Sequence, residues 1–319
     1  MKFYPLTFDP IFKERIWGGT KLKTALNKSI SSQITGESWE LSTVPNDISI
    51  VNFGVLKGKN VNELIDLYPN EFLGSEVIER FGKEFPLLFK FIDAKQDLSI
   101  QLHPNDELAK KRHNCSGKTE MWYVIQADNN ARLIVGFKEN SNVENYKKNL
   151  ENNTLVSILN EVQVKAGDVF FLETGTIHAI GAGIVVAEIQ QTSDVTYRVY
   201  DFDRVDAAGN HRELHTELAL DALNYNTTEA HVSYKNIINT SNKVVHCDYF
   251  KTNIIPIETS YCWNKTKDAF TVLMCTQGVF DINFNGIIYS YKKGDTVLIP
   301  AVIDKVNLTG NAIILEISI

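Results

Sequence analysis

Hydrophobic and polar positions alternate in short runs along two stretches of the chain. Residues 85–200 and 245–319 contain runs rich in Val, Ile, Phe and Tyr, which Gly, Asn and Asp interrupt. Alternation with a period of two is typical of strands with one buried face, and many short strands predict antiparallel sandwiches or barrels. We therefore predict a mainly β protein with two β-barrels and short helical insertions.

Three segments have a helical pattern instead: 60–74, 140–162 and 211–225. The last of them, HRELHTELALDALNY, places Leu214, Leu218 and Ala222 four residues apart and runs into a polar stretch, so we predict a helical connector there. The predicted organisation is, in chain order, a first domain at 1–204, a helical connector at 205–244 and a second domain at 245–319.

The two β-rich stretches share a local pattern. VKAGDVFFLETGTIHAI (164–180) and YKKGDTVLIPAVIDKVNL (291–308) both place a Gly-Asp step before an apolar strand and a further turn. Glycine at such a step tolerates a positive φ, and aspartate hydrogen-bonds to the turn backbone. Aligning the two steps puts Lys305 opposite His178. The pattern predicts two related barrels, of which only the first keeps the histidine and binds a metal.

Polar side chains recur on one face of the predicted strands in the first stretch. In LSIQLHPND (98–106), Gln101 and His103 are two positions apart, so they point to the same side of a strand. Glu120 lies in the apolar run EMWYVI, where a carboxylate is costly to bury unless it is paired or bound to a cation. With His178, these residues supply two imidazoles, a carboxylate and an amide, which suits Zn²⁺ and other divalent first-row metals.

Further charged side chains are predicted near that face. Lys90, Lys118 and Arg198 lie in strand patterns, and such cations beside a metal suit an anionic sugar phosphate, because Lys and Arg bind phosphate or stabilise an oxyanion. Glu188, in VVAEIQQ, is either a structural ion-pair partner or a general base whose pKa is raised by burial. Glu120 has a simpler explanation too, an ion pair with Lys118 or Lys90.

Composition and charge narrow the classes of partner. The 319 residues are 44% hydrophobic and carry a formal net charge of -7, which argues against a nucleic-acid or anionic-membrane surface. The start of the chain lacks the apolar run of a signal peptide, and no uncharged stretch approaches the roughly 18 residues of a membrane span. The four cysteines form no C-x-x-C pair, which favours reduced thiols. We expect a cytoplasmic monomer or homodimer that binds a small molecule.

Several segments together resemble the type I phosphomannose isomerases (mannose-6-phosphate isomerases), in particular the short bacterial form with two cupin barrels. The segments that carry the resemblance, over nearly the whole chain, are RIWGG (15–19), GESWELS (36–42), FPLLFKFIDAKQDLSIQLHPND (85–106), GKTEMWYVI (117–125), GTIHAIG (175–181) and QQTSDVTYRVYDFDR (190–204). The resemblance implies two cupin (jelly-roll) barrels. It also implies the interconversion of D-mannose 6-phosphate and D-fructose 6-phosphate through an enediol or enediolate.

The resemblance further implies one zinc ion per chain, in the first barrel. The implied ligands are His103, Glu120, His178 and, as in some members of the family, Gln101. The short chain lacks the larger helical domain of the long members, so the walls of the cavity are expected to differ from theirs.

Catalytic and substrate-binding roles are implied in the same way. Arg198 is the expected catalytic arginine at the mouth of the site. Glu188 is the first candidate for the base that moves the proton, with a zinc-associated water or Lys118 as alternatives. Lys90, Lys118 and Trp17 are expected to contact the substrate.

Three other functions share parts of this pattern. A phosphoglucose isomerase of the cupin type would use the same fold. A cupin oxygenase would bind Fe²⁺ through two histidines and a carboxylate, as in the facial triad of non-haem iron enzymes. A non-catalytic sugar-phosphate-binding paralogue would be expected to lose a metal ligand or Arg198 first, and the chain retains all of them.

Overall fold

The structure is a computed structural model that describes residues 2–206 and 208–319. The strands of the first part, in chain order, are β1 (Ile11–Gly19), β2 (Thr35–Leu41), β3 (Thr43–Val44), β4 (Asp47–Ile48), β5 (Leu87–Ala94), β6 (Ile100–Leu102), β7 (Glu120–Ala127), β8 (Arg132–Phe137), β9 (Leu159–Gln163), β10 (Val169–Leu172), β11 (His178–Ile180), β12 (Ile184–Gln191), β13 (Tyr197–Tyr200) and β14 (His231–Val232). The strands of the second part are β15 (Asn242–His246), β16 (Lys251–Ile257), β17 (Ser260–Asn264), β18 (Thr271–Phe284), β19 (Ile287–Lys292), β20 (Thr296–Ile299) and β21 (Lys305–Ser318).

Short helices lie between these strands. They are α1 (Lys21–Leu26), α2 (Val61–Leu67), α3 (Pro69–Phe72), α4 (Ser75–Phe81), α5 (Asp106–His113), α6 (Val143–Glu151) and α7 (Thr216–Leu220), with 3₁₀ turns at Gly54–Leu56 and Leu155–Ile158. Within the described residues, no helix combines the length and apolar character that crossing a bilayer requires. The prediction of a mainly β fold with short helical insertions is confirmed.

Two antiparallel sheets form the first barrel. One has the strand order β1-β2-β5-β12-β7-β10-β14, and the other has the order β13-β6-β11-β8-β9. Their inner faces share a hydrophobic cluster that contains Trp122 and Val186 from the first sheet and Leu133 and Ile180 from the second. The two sheets therefore pack face to face, and the polar site described below lies between them.

The second barrel packs against the outer face of the first sheet. Its sheet has the order β15-β16-β21-β18-β19, with β17 paired to β21 and β20 paired to β18. One cluster contains Phe89 and Met121 of the first barrel together with Met274 and Leu315 of the second. Both faces of β5 and β12 are buried as a result, which explains their nearly continuous apolar sequences.

The Gly-Asp turns of the two barrels have the same construction, as the sequence pattern predicts. Gly167 and Gly294 have φ values of 92° and 95°, a region that side chains rarely adopt. Asp168 and Asp295 each accept a hydrogen bond from the backbone N–H three residues earlier, at 2.9 and 2.8 Å. The same local geometry thus recurs in both barrels.

The second barrel differs at the positions that correspond to the predicted ligands. The last residue of β10 pairs with Glu120, whereas the last residue of β20 pairs with Thr271. Lys305 opens β21 much as His178 opens β11. A hydroxyl and an ammonium therefore replace a carboxylate and an imidazole, which supports the prediction that only the first barrel binds a metal.

The predicted connector helix over 211–225 is wrong in extent, because helical structure is limited to α7. The segment before α7 lies along β13 instead, where the His215 N–H donates to the Arg198 carbonyl at 2.7 Å. The Glu213 carbonyl also accepts a hydrogen bond from the Arg198 side chain. These tertiary contacts outweigh the local helical pattern. The domain boundaries at 204 and 244 stay a prediction.

Candidate metal centre and active site

Strand register places a row of three side chains on the inner face of the second sheet. Gln101, at the centre of β6, pairs with His178 of β11 on one side and with Arg198 of β13 on the other. Directly paired residues of antiparallel strands point to the same face. An amide, an imidazole and a guanidinium therefore lie side by side between the two sheets.

The first sheet presents a second row to the same space. Trp39 of β2 pairs with Lys90 of β5, Lys90 pairs with Glu188 of β12, and Glu188 pairs with Trp122 of β7. Both rows line a cavity of about 450 Å³. Trp17 and Lys118, which the sequence places near the substrate, also line it.

His103, Glu120 and His178 form a buried cluster, of which His178 lines this cavity. The Nε2 atom of each histidine lies 3.5 Å from a different oxygen of Glu120. One ligand atom from each of the three residues lies within 4.8 Å of the others, and all three side chains are almost completely buried. The structure therefore brings together three of the four predicted ligands in an arrangement that can hold a metal ion.

Backbone carbonyls orient both imidazole rings. The Nδ1 atom of His103 lies 2.9 Å from the carbonyl oxygen of Val195, and that of His178 lies 2.9 Å from the carbonyl oxygen of Thr176. A carbonyl only accepts, so each Nδ1 must donate, which leaves the Nε2 lone pair directed to the metal side. Burial and the nearby Lys118 ammonium hold the pKa of His103 well below its usual range and lower the pKa of His178 to about 4. Both rings are therefore neutral, as metal ligands must be.

The surroundings of the Glu120 carboxylate show whether these residues are suited to bind a cation. Neither of its oxygens has a hydrogen-bond partner, although the Lys118 ammonium lies 2.9 Å from Oε2. Burial and the charge of Glu188 raise the pKa of Glu120 to about 7. The ion pair with Lys118 that the sequence offers as a simpler explanation is present, and the same ammonium lies 2.9 Å from Nε2 of His103. It leaves Oε1 of Glu120 without a hydrogen-bond partner and Nε2 of His178 with a long contact of 3.5 Å to the Gln101 amide. A divalent cation satisfies all of these groups.

Gln101 lies beside this cluster. Its Nε2 atom is 3.5 Å from Nε2 of His178, and its Oε1 atom accepts a hydrogen bond from the Ser99 hydroxyl at 3.4 Å. The oxygen and nitrogen of a carboxamide have nearly the same shape, so a half-turn of the group presents the oxygen to the metal side. Direct ligation by Gln101 stays a prediction.

One of the two interpretations of Glu188, a base whose pKa is raised by burial, is wrong about the pKa. Its Oε1 accepts a hydrogen bond from the Lys90 ammonium at 2.9 Å, and its Oε2 accepts one from the Trp122 indole at 2.9 Å. Burial alone would raise the pKa of Glu188, but the charges of Lys90 and Lys118 outweigh burial and lower the pKa to about 2. The alternative interpretation, a structural ion-pair partner, fits this geometry.

Replacing Lys90 by methionine is expected to lower the free energy of unfolding by about 3 kcal/mol, because it leaves Glu188 buried without its ammonium partner. Urea unfolding of the two proteins measures the difference. The double variant Lys90→Met with Glu188→Gln should recover much of the loss, since it also removes the carboxylate charge. Equal stability of wild type and Lys90→Met would contradict the importance of this pair.

Arg198 lines the cavity and is half-buried. Its Nε donates to the Ser99 hydroxyl at 3.3 Å, and its Nη1 donates to the Glu213 carbonyl at 2.9 Å. Burial and the charge of Arg212 lower the pKa of Arg198, yet a guanidinium remains charged in a protein. These two bonds fix the plane of the guanidinium and leave further N–H groups for a ligand.

Sequence reasoning missed several residues that line the cavity, namely Arg15, Glu37, Trp39, Asp194 and Arg212. Arg15 binds the Glu37 carboxylate through Nε and Nη2 at 3.0 and 3.2 Å, and the Trp39 indole donates to the same carboxylate at 2.6 Å. Lys90 lies over the Trp39 ring, 5.2 Å from its centroid. RIWGG and GESWELS contain Arg15, Glu37 and Trp39 and carried the resemblance, so they were the available signal.

Comparison with known proteins decides the family. Residues 6–153 match the phosphomannose isomerase type I catalytic domain, and residues 240–319 match the cupin domain of mannose-6-phosphate isomerase. The mannose-6-phosphate isomerase ManA of Bacillus subtilis is 37% identical over 314 residues, which cover 97% of this chain and 96% of that protein. The chain belongs to the type I phosphomannose isomerase family.

Other members of the type I phosphomannose isomerase family match over similar lengths. The mannose-6-phosphate isomerase of Streptococcus mutans is 36% identical over 96% of both chains. The crystal structure of mannose 6-phosphate isomerase from Bacillus subtilis superposes with a TM-score of 0.91 at 33% identity, over 99% of this chain and 100% of that one. The resemblance to this family and the two-cupin fold that it implies are confirmed.

Proposed function

We propose that this chain is a metal-dependent aldose-ketose isomerase that interconverts D-mannose 6-phosphate and D-fructose 6-phosphate. The main observation behind the proposal is the cavity between the two sheets, which cationic side chains line together with His178 of the buried His-Glu-His cluster. A phosphorylated sugar offers hydroxyl and carbonyl oxygens to the cluster and an anion to the cations. The relatives that match this chain over its full length carry the name of the same enzyme.

The proposed resident metal is one Zn²⁺ ion, held by His103, Glu120 and His178 with Gln101 as a further ligand. Two neutral imidazoles, a carboxylate and an amide form a donor set that zinc accepts. A bound zinc ion would act as a Lewis acid that polarises the sugar oxygens. Iron accepts similar ligands, so metal content and activity after reloading must both be measured.

Isomerisation moves a proton between C2 and C1 of the sugar, and negative charge develops on an oxygen when the C–H bond breaks. Arg198 is assigned to stabilise this charge, because its guanidinium is held at the cavity by Ser99 and the Glu213 carbonyl. Lys118 provides a second cation. Burial would lower the pKa of Lys118, but Glu120 and Glu188 outweigh burial and raise it, so the group is an ammonium.

Glu188 is assigned as the base that takes the proton. Its low pKa keeps it ionised, which a base requires, but also makes it a weak base while Lys90 holds it. A substrate phosphate or oxyanion that draws the Lys90 ammonium would weaken this pair and so raise the basicity of Glu188. A metal-associated water is the alternative base.

The test is an assay of the purified protein with mannose 6-phosphate and with glucose 6-phosphate, before chelation, after chelation and after return of Zn²⁺. Formation of fructose 6-phosphate from mannose 6-phosphate by the zinc-loaded protein is expected. Conversion of glucose 6-phosphate alone would indicate a phosphoglucose isomerase. Oxygen consumption with Fe²⁺ would indicate an oxygenase, and binding without any conversion would indicate a non-catalytic paralogue.

A further inference from the structure

One carboxylate ties together the two segments that bring His103 and Glu120 to the metal cluster. Asp106 follows His103 by three residues and begins α5. Its Oδ1 accepts hydrogen bonds from the backbone N–H of Gly117, at 2.7 Å, and from Nε2 of Gln191, at 3.1 Å. Since Gly117 precedes Glu120 by three residues, Asp106 bridges the segments on which both ligands depend.

The segment after His103 and the segment before Glu120 contact each other closely at two further points. A Cβ atom on Gly117 would lie 2.7 Å from the Asp106 nitrogen, so a larger residue there would push the two segments apart. The Lys118 N–H also donates to the Pro104 carbonyl at 3.3 Å. Gln191 extends the network, because its Oε1 accepts from the Thr119 N–H at 2.8 Å. The backbone directly before Glu120 is thereby held on both sides.

One side chain of the second barrel hydrogen-bonds to Asp106. Tyr249, in the turn between β15 and β16, donates its hydroxyl to Oδ2 of Asp106 at 2.6 Å. Burial would raise the pKa of Asp106, but the hydrogen bonds from Tyr249, Gly117 and Gln191 outweigh burial and lower it. Burial and the hydrogen bond to Asp106 raise the pKa of Tyr249, so the phenol keeps its proton. An ionised carboxylate and a neutral donor are therefore in place.

We propose that Asp106 is a positioning residue of the metal centre, because it fixes His103 relative to Glu120. We further propose that Tyr249 of the second barrel holds Asp106 in place through its hydroxyl. The hydrogen bonds of both residues go to the backbone and side chains next to the ligands and not to the ligand side chains, so both would act through the ligand segments. Groups that do not bind the metal but orient its ligands usually affect metal affinity strongly. This proposal rests on the proposed metal site, and it gives the second barrel a role in that site.

The test measures Zn²⁺ affinity of the full-length chain by competition with a chelator. Asp106→Ala should weaken Zn²⁺ binding by up to about 10-fold, the lower end of the range for groups that hydrogen-bond metal ligands directly, because Asp106 acts through the backbone of the ligand segments. Asp106→Asn should retain most of the affinity, because its amide oxygen still accepts from Gly117 and Gln191 and its NH₂ can donate to the Tyr249 hydroxyl. Tyr249→Phe keeps the ring and should cause a smaller loss in the same direction as Asp106→Ala.

Two control variants remove similar bonds elsewhere in the chain. Asn142→Ala removes the side chain that accepts from the Asn145 N–H at the start of α6, and Tyr234→Phe removes the hydroxyl that donates to the Gly167 carbonyl. Both should bind Zn²⁺ as wild type does. At saturating Zn²⁺, Asp106→Ala should lower kcat for mannose 6-phosphate more than it changes KM.

Wild-type Zn²⁺ affinity in Asp106→Ala would overturn the proposal, even with a lowered unfolding temperature, because the network would then be purely structural. Wild-type affinity in Tyr249→Phe alone would overturn the role of the second barrel. If Asp106→Ala does not fold, Tyr249→Phe decides by the same measurement, and wild-type Zn²⁺ affinity in that variant then overturns the proposal as a whole. A wild-type protein that binds Zn²⁺ without isomerising mannose 6-phosphate would contradict the proposed function and leave this test valid.

Discussion

Replacing Arg198 by alanine should lower the turnover of mannose 6-phosphate by about 10²- to 10³-fold, the range seen when one donor to a developing oxyanion is lost. The guanidinium is held at the cavity by the Ser99 hydroxyl and the Glu213 carbonyl, so it is oriented before the substrate binds. Such preorganised charge acts most strongly on the transition state. Steady-state kinetics with zinc-loaded protein measure the effect, and we expect kcat to fall more than KM rises.

The matched control for this variant is Arg132→Ala. Arg132 is a partly exposed arginine of β8, in the same sheet, and it pairs with Asp97 and Glu161 away from the cavity. Its replacement should leave turnover unchanged. Arg198→Lys should recover only part of the activity, because an ammonium lacks the planar fork of a guanidinium. Near-normal turnover in a folded Arg198→Ala protein would remove Arg198 from the mechanism.

The site residues that lie on regularly alternating strands or beside a turn motif were predictable from the sequence. Alternation predicts Gln101, in β6, and His103, directly after it, on one face, and the Gly-Asp turn predicts His178 at the start of a strand. These are properties of the backbone over a few residues, so a period of two is enough to identify them. The resemblance to a family then joined segments that periodicity alone could not connect.

Properties that depend on long-range register were not predictable in this way. Glu188 has a low pKa because β12 pairs with β5 and sets Lys90 beside it, and no local pattern specifies that pairing. Arg212 reaches the cavity because the chain before α7 runs along β13 instead of continuing the predicted helix. In both cases a tertiary contact outweighs the local preference.

The two rows of the site also show how one cavity could serve both the proposed metal cluster and the proposed substrate. His178, Gln101 and Arg198 follow one another across three neighbouring strands, so the distance from His178 to Arg198 is set by strand spacing. The facing row places Lys90 and Glu188 opposite them. In the proposed reaction, the reacting carbons of the sugar would therefore lie between the cluster and Arg198, with the facing row within reach of the same substrate.

Loss of the metal is expected to have the other large effect. Chelation, or the substitution Glu120→Gln, should lower isomerase activity by about 10³-fold or more, because Lewis-acid polarisation supplies several kcal/mol of transition-state stabilisation. Glu120 is the only anionic member of the cluster, and among the described residues its buried oxygens have the Lys118 ammonium, 2.9 Å from Oε2, as their close partner. Return of Zn²⁺ should restore the chelated wild type and leave Glu120→Gln inactive.

Thermal unfolding separates metal binding from catalysis. A ligand that binds only the folded state stabilises it, by about 2.7 kcal/mol at a free concentration of 100 times Kd, so Zn²⁺ should raise the unfolding midpoint of the wild type. The rise should vanish in Glu120→Gln and persist in the control Glu161→Gln, whose carboxylate pairs with Arg132 outside the cavity. Each protein is compared with itself, with and without Zn²⁺. A change that the substitution makes to the stability of the metal-free protein therefore does not affect the comparison. An equal rise in Glu120→Gln would show that Zn²⁺ binds elsewhere.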